Sequence, residues 1–243
     1  LMKQYGLIGK TLDHSFSKSY FENKFITEHI QHASYSNFPL ESIEEFKLLI
    51  KKKTFSGLNI TIPYKTSIIP FLDELSDEAK SISAVNTIHF KNDKLIGYNT
   101  DYIGFLNAIK PFLIKTMEQA LILGTGGASK AVVFALKKIG IKCLCVSRVP
   151  KEQQLNYDQL NELVLKHHLL IVNTTPLGTS PNINECPNIP YQYITEKHLL
   201  VDLVYNPEET LFLKKGRKNL AKILNGKSML IHQAEEAWKI WNS

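Results

Sequence analysis

Ala120-Leu-Ile-Leu-Gly-Thr-Gly-Gly-Ala-Ser129 joins an apolar run without alternation to a glycine loop, and the helical pattern that follows reaches Ile139. An unbroken apolar run suits a parallel strand buried on both faces. Gly124, Gly126 and Ser129 stand at the positions of a G-x-G-x-x-G/A/S fingerprint. Glycine serves there where the backbone turns tightly and must approach a pyrophosphate closely. The helix that follows offers unpaired N–H groups and the positive end of its dipole. Working outward, Lys142–Val146, Leu169–Val172, Leu199–Leu203 and Lys222–Leu224 read as further short apolar strands, with helical sequence between some of them. Strand–helix alternation of this kind predicts a doubly wound parallel sheet.

The chain before this segment has a different character. Tyr5–Gly9, Ala33–Phe38 and Gly57–Ile62 read as strands, the last stopped by Pro63. Between Lys18 and Gln31, apolar residues recur at helical spacing. Ser42-Ile-Glu-Glu45 has the form of a capping box ahead of the apolar face Phe46, Leu49 and Ile50. Ser76–Ser81 is helical or irregular. Val85–Phe90 and Leu95–Tyr98 flank Lys91-Asn-Asp-Lys94, which reads as a hairpin. Ser228–Trp241 forms the last helix. The reading is α/β in two domains: an N-terminal α/β domain over 1–101 plus 227–243, and a Rossmann-type domain over 102–226.

Composition narrows the function classes. The 243 residues are 44% hydrophobic and 21% charged, which predicts globular folding. The net charge is +6, yet the one dense cationic run, Lys51-Lys-Lys53, ends an amphipathic helix and has no aromatic residues interleaved. No nucleic-acid surface is expected. No apolar stretch reaches membrane-spanning length, and Met2-Lys-Gln-Tyr5 enters strand-like sequence directly, without a signal-peptide pattern. Of the three cysteines, Cys143 and Cys145 share one strand face without metal spacing. Buried free thiols in a reducing cytoplasm, and no metal, are the expectation.

Two groups of residues carry the chemistry. Asn59-Ile-Thr-Ile-Pro-Tyr-Lys65, Asn86 and Asn99-Thr-Asp101 supply hydroxyl-binding groups, an amine and a carboxylate. With a dinucleotide loop further on, this combination points to a dehydrogenase of a small hydroxylated substrate. Moving a hydride to a carbonyl also moves a proton, and Lys65 beside Asp101 can handle it. The strand after the glycine loop ends in Ser147-Arg148, where an NAD-preferring fold often has an acidic residue. Arg148 can face a 2′-phosphate, with Ser147 or Lys151 assisting, so NADP(H) is favoured.

His14-Ser15-Phe16-Ser17, Asn59–Lys65, Ala84-Val-Asn-Thr87, Asn99-Thr-Asp101, Gly124–Ser129 and Met229-Leu-Ile-His-Gln233 resemble, in order and approximate spacing, the motifs of the shikimate dehydrogenase family. The resemblance covers almost the whole chain and implies NADPH-dependent interconversion of 3-dehydroshikimate and shikimate in aromatic amino acid biosynthesis. By the same resemblance Lys65 is the acid/base residue and Asp101 its partner. Ser15, Ser17 and Tyr205 hold the substrate carboxylate; Asn59, Thr61, Asn86, Asp101 and Gln233 bind ring hydroxyls. Gly124, Thr125, Gly126, Gly127, Ala128 and Ser129 take the pyrophosphate. Asn173, Thr174, Thr175, Leu203 and Gly226 line the cofactor groove, Met229 lies near the nicotinamide, and Asp77 lies at the cofactor edge. The family implies a site in a groove between the domains and a monomer or homodimer. The segment from Arg148 to Asn173 is short for the family, and Ser147-Arg148-Val149 stands where Asn-Arg-Thr is usual. An NAD-dependent quinate/shikimate dehydrogenase, a non-catalytic ligand sensor and a folate-type dehydrogenase are the alternatives.

Overall fold

The computed structural model describes residues 2–12 and 15–243. They form two units, one reaching Asp101 and rejoined by Gln233–Ser243, the other Tyr102–His232. His14, quoted above for the family resemblance, lies outside the described residues.

The first unit is a mixed sheet. Its strands are β1 (Lys3–Gly9), β2 (Ala33–Pro39), β3 (Gly57–Ile60), β4 (Glu74–Leu75), β5 (Thr87–Lys91) and β6 (Lys94–Tyr98), in the order β2-β1-β3-β5-β6-β4. β1 runs parallel to β2 and β3, while β3–β5 and β5–β6 are antiparallel. The β5–β6 hairpin turns on Asn92 and Asp93, at φ 51° and 59°, the left-handed pair that a two-residue hairpin requires. Helices α1 (Phe16–Thr27), α2 (Glu45–Lys52) and α3 (Asp77–Ile82) complete the unit with the end of the last helix. α1 packs Phe21 and Phe25 against Tyr5, Tyr35, Trp238 and Trp241, an aromatic cluster on one face of β1. On the other side, Ile8, Phe46, Leu58, Ile60, Ile68 and Ile88 form a second apolar cluster.

The expected capping box does not form. α2 begins at Glu45, its N-cap is Glu44, and no side chain caps it. Ser42 instead heads a turn in which its carbonyl accepts Glu45 N at 3.3 Å, which leaves Glu45 too early to act as the third helical residue. β3 is also shorter than expected: it ends at Ile60, and the next residue, Thr61, donates its N–H to Ile8 O at 2.8 Å.

The second unit opens with α4 (Asp101–Ile109), whose first residue still belongs to the first unit. Its strands are β7 (Gln119–Leu123), β8 (Lys142–Val146), β9 (Gln154–Leu155), β10 (Leu170–Asn173), β11 (Leu199–Asp202) and β12 (Lys222–Leu224). They lie in the order β12-β11-β10-β7-β8-β9, all parallel. Counted from β7 the order is 3-2-1-4-5-6, the doubly wound dinucleotide arrangement, with its switch point between β7 and β10. Ala120–Leu123 are fully buried, as a central parallel strand should be. α5 (Gly127–Lys138) and α4 supply one apolar layer through Val132, Ala135, Leu136, Phe105 and Ile109. α6 (Glu162–His167) and α7 (Leu211–Lys218) supply the other through Leu165, Phe212 and Leu213. α8 (Lys227–Trp241) begins in this unit and passes into the first at Gln233.

The edge strand β9 occupies the short segment noted in the sequence. Its two residues pair with Cys145 and Val146. Cys143, Cys145 and Cys186 are free thiols, half-buried rather than buried. Burial pushes Cys143 up to about 11, so the thiol stays protonated near neutrality. Among the described residues no helix is long and apolar enough to cross a membrane.

Candidate active site

In the first unit, the end of β3, the loop after it, the start of β5 and the start of α4 bring together the polar residues singled out in the sequence. Lys65 Nζ lies 2.7 Å from Asp101 Oδ2. The two side chains are 20% and 10% exposed, so the pair is largely shielded while the amine keeps an open side. Lys65 is fixed through its backbone, whose carbonyl accepts Val85 N at 2.7 Å. Asp101 is the first residue of α4, where a carboxylate favours the positive helix end. Asn99 Oδ1 accepts the Asp101 N–H at 3.1 Å, and Asn99 Nδ2 is held by Ala84 O at 3.0 Å.

Asn86 is the hub. Its Nδ2 donates to Asp101 Oδ1 and to Thr100 Oγ1, each at 2.9 Å, and stands 3.4 Å from Gln233 Oε1. Its Oδ1 accepts Thr100 N at 2.7 Å. The Asn amide is thereby fixed in orientation, and with it the carboxylate that faces Lys65. Asn59 lies beside this group. Its Nδ2 reaches Asn86 O and Thr87 Oγ1 at 3.2 Å, and its Oδ1 accepts Tyr35 OH at 2.8 Å. Both N–H bonds are used, so Asn59 offers a ligand only acceptor capacity. Tyr35, fully enclosed, also bonds the Ser17 side chain, and burial pushes its hydroxyl well above the ordinary range. Tyr35 thus joins two residues read from the sequence, Ser17 and Asn59, although nothing about its spacing pointed to it. Ser15 is the N-cap residue of α1 but caps nothing with its side chain. Its buried Oγ has no hydrogen-bond partner, an open valence suited to an anionic oxygen. Thr61, the residue after β3, is half-buried.

In the second unit, a cavity of about 580 Å³ opens at the switch point. Gly124, Thr125 and Gly126 line one wall, Thr174 and Thr175 the other, and Ser147 and Arg148 the end beyond β8. Gly124 has φ +106°, and a Cβ there would come within 2.8 Å of Thr174 Oγ1. Around Gly126 and Gly127 the opposite holds: an added Cβ meets nothing within 4 Å. The loop therefore leaves open room over the first turn of α5, where N–H groups lack intrahelical partners. The residues present fit a dinucleotide pyrophosphate. Ser129 Oγ turns back to Gly126 O at 2.6 Å and stiffens the loop; Ala128 is half-buried behind it.

Not every residue named from the sequence lines this cavity. Asn173 is completely buried, and its side chain is engaged by Asp202 and Thr175. Gly226 is needed for close packing, because a Cβ there would overlap Leu203 O. Met229 is buried in the apolar layer beside α4 and α5, with Leu203 packed against it. Lys151 is exposed, and its N–H bonds Gln154 Oε1 at 3.1 Å. Asp77 belongs to the first unit, with its carboxylate 98% exposed and 3.5 Å from Lys80. Tyr205 is half-buried in the second unit, and burial pushes its hydroxyl up. The cavity also draws on Tyr157, Pro176, Leu177, Cys186 and Asn188, none of them singled out in the sequence. Among the described residues no cluster of His, Cys, Asp and Glu could hold a metal ion.

Comparison with known proteins gives the family. A family described as the shikimate dehydrogenase substrate binding domain matches residues 7–88. A shikimate dehydrogenase (NADP(+)) of Clostridium beijerinckii is 39% identical over 250 residues, covering 99% of this chain and 92% of the relative. The enzyme of the same name from Aquifex aeolicus is 40% identical, covering 98% and 90%. The crystal structure of shikimate 5-dehydrogenase from Thermus thermophilus, in complex with NADP(H) and shikimate, matches with TM-score 0.87 and 31% identity, over 99% of this chain and 93% of that one. With such likeness along nearly its full length, this chain belongs to the shikimate dehydrogenase family.

Proposed function

We propose that the chain catalyses the reversible, NADPH-dependent reduction of 3-dehydroshikimate to shikimate, a step toward the aromatic amino acids. The observation that carries this reading is the Lys65–Asp101 pair, 2.7 Å apart, held from behind by Asn86 and Asn99 and open on the amine side. When bound, NADPH supplies the hydride and NADP+ accepts it in the reverse direction. In reduction, Lys65 Nζ gives a proton to the carbonyl oxygen as the carbon gains the hydride, and the amine then takes a proton from solvent. In oxidation, the amine takes the hydroxyl proton. Asp101 aims the amine and balances its charge.

The substrate bears one carboxylate and, in its reduced form, three hydroxyls. Ser15, whose hydroxyl has no partner, and Tyr205 would donate to the carboxylate, and Ser17, whose proton goes to Tyr35, would join them on turning from it. Asn59, Thr61, Asn86, Asp101 and Gln233 pair the hydroxyls, Asn59 and Asn86 as acceptors because their amide hydrogens are already used. Paired hydroxyls confer strong selectivity, since an analogue lacking one leaves a buried group unsatisfied. Gly124, Thr125, Gly126, Gly127, Ala128 and Ser129 would hold the pyrophosphate, Thr174 and Thr175 the facing wall, and Ser147 and Arg148 the 2′-phosphate. Lys151 would add charge near it, Met229 and Leu203 apolar surface toward the nicotinamide. The free cysteines suit a reducing, cytoplasmic location.

The purified chain mixed with 3-dehydroshikimate and NADPH is expected to oxidise NADPH, and shikimate with NADP+ to reverse it. Parallel assays with quinate and with NADH grade the selectivity. No nucleotide oxidation with 3-dehydroshikimate sinks the reading.

A further inference from the structure

The second unit holds a buried carboxylate that the mechanism above does not use. Asp202 is the last residue of β11 and has no exposed surface. Its Oδ1 accepts Asn173 Nδ2 and Val204 N, each at 3.0 Å, and its Oδ2 accepts Thr210 Oγ1 at 2.5 Å. No ion pair joins it among the described residues. Burial raises its pKa to about 6 despite these three hydrogen bonds. A neutral apolar side chain would fill this place without that cost, so its three acceptor bonds are what distinguish it.

Those bonds converge on the wall of the nucleotide cavity. Because Asn173 Nδ2 is committed to Asp202, Asn173 Oδ1 must face the other way. There it accepts Thr175 N at 3.0 Å and Thr175 Oγ1 at 2.7 Å. Thr174, one residue back, is tied to Leu123 O by both its N–H at 2.9 Å and its hydroxyl at 2.8 Å. Thr174 and Thr175 form the cavity wall opposite the glycine loop. On its other side, Asp202 fixes Val204 N, and the Val204 carbonyl accepts Gly226 N at 3.1 Å. One carboxylate therefore sets the loops after β10, β11 and β12. We propose that Asp202 is a positioning residue for nucleotide binding: it orients the Asn173 amide, and through it Thr175 in the cavity wall, without touching the nucleotide.

The proposal takes its ligand from the NADP reading above, but its test needs no turnover. NADP+ binding is measured by titration calorimetry, and shikimate binding separately in the absence of nucleotide. In Asp202→Ala the dissociation constant for NADP+ rises at least tenfold, while that for shikimate stays within twofold of the parent. In Asp202→Asn the side-chain oxygen still accepts Asn173 and Val204, and its amide can donate to the Thr210 hydroxyl; NADP+ binding stays within about threefold. Should Asp202→Ala not fold, Thr210→Val decides, since it keeps shape and removes the bond to Asp202 Oδ2 together with the α7 cap bond from Leu213 N, while Thr210 itself does not line the cavity: NADP+ binding weakens about threefold with shikimate binding unchanged. The proposal is overturned if folded Asp202→Ala, or Thr210→Val in its place, binds NADP+ like the parent. It is also overturned if both ligands weaken in step, or if Asp202→Asn fails as Asp202→Ala does. A parent that binds NADP+ yet does not turn over 3-dehydroshikimate sinks the proposed reaction and leaves Asp202 standing. A parent that binds no NADP+ overturns both.

Discussion

Asp101 in the first unit and Asp202 in the second stand in closely matched frames. Each accepts the side-chain amide of an Asn on a neighbouring strand or at its start, Asn86 Nδ2 at 2.9 Å and Asn173 Nδ2 at 3.0 Å. Each Asn turns its oxygen to a Thr, accepting Thr100 N at 2.7 Å in one case and Thr175 N at 3.0 Å in the other. The frames differ in the last partner. Asp101 meets the Lys65 ammonium on a side that stays partly open; Asp202 meets the Thr210 hydroxyl in a closed interior. An Asn–Thr–Asp frame is therefore not in itself a proton-transfer device. In the proposed reading the Lys65 ammonium makes the first frame one, and the Thr210 hydroxyl makes the second a brace.

Substitutions can break this contrast or sharpen it. The largest effect is expected for Lys65→Ala, which should lower turnover at least about a hundredfold while NADP+ binding is kept, because general acid–base catalysis is lost. Steady-state kinetics alongside calorimetry checks it, and near-normal turnover removes the distinction between the two frames.

The second effect follows from the closed interior around Asp202. Its folded pKa of about 6 lies above the ordinary 3.8. Through that window the folded state binds the proton more tightly than the unfolded chain. Stability contributed by the protonated form is full below the window and is lost as pH rises through it, by up to about 3 kcal/mol at about 1.4 kcal/mol per unit. Its titratable neighbour Tyr191 stays neutral there, its hydroxyl pushed up by burial. Denaturant titrations across this range should show that slope in the parent and lose it in Asp202→Asn; an unchanged slope means another group titrates.

Asn86→Ala should cost about 1–3 kcal/mol, because Thr100 N loses its buried acceptor and Asp101 Oδ1 its donor. Its turnover should fall with the aim of the Lys65 pair, whereas an effect on stability alone would make Asn86 a brace like Asn173. Thr100→Val is the mildest: the backbone N–H still fixes Asn86, so a loss of about 1 kcal/mol and little change in turnover are expected by thermal melts and kinetics.

What the sequence could reveal follows the physical range of each signal. The glycine loop was legible because strand, turn and helix constraints coincide over the ten residues 120–129. Lys65, Asn86 and Asp101 were legible through ordered motifs, and the structure brings them within hydrogen-bonding distance. Tyr35 was not, because a tyrosine in a half-polar strand has no local mark of the Ser17 and Asn59 side chains it will meet. Asp202 was hidden at the end of an apolar run that reads simply as a strand. The partner that ties it to the cavity wall lies at a sequence distance where no period operates: Asn173 is 29 residues away. The α2 cap was misread because Ser-x-x-Glu is a pattern of types, while capping depends on where the first helical turn closes.

One feature of the first unit bears on how the polypeptide matures. Trp241 donates Nε1–H to Ile88 O at 3.0 Å and lies against Gly57 so closely that any Cβ there would overlap its indole. Glu235 meets Tyr20 and the buried Lys24 from the same returning segment. A nascent polypeptide emerging from the ribosome presents β1, α1 and β3 early, yet the aromatic lid of that sheet arrives only after the whole second unit has been synthesised. The lobe begun earlier is thus completed later, and the rings of Tyr5, Phe21 and Phe25 lack their Trp238 and Trp241 cover until the last residues emerge.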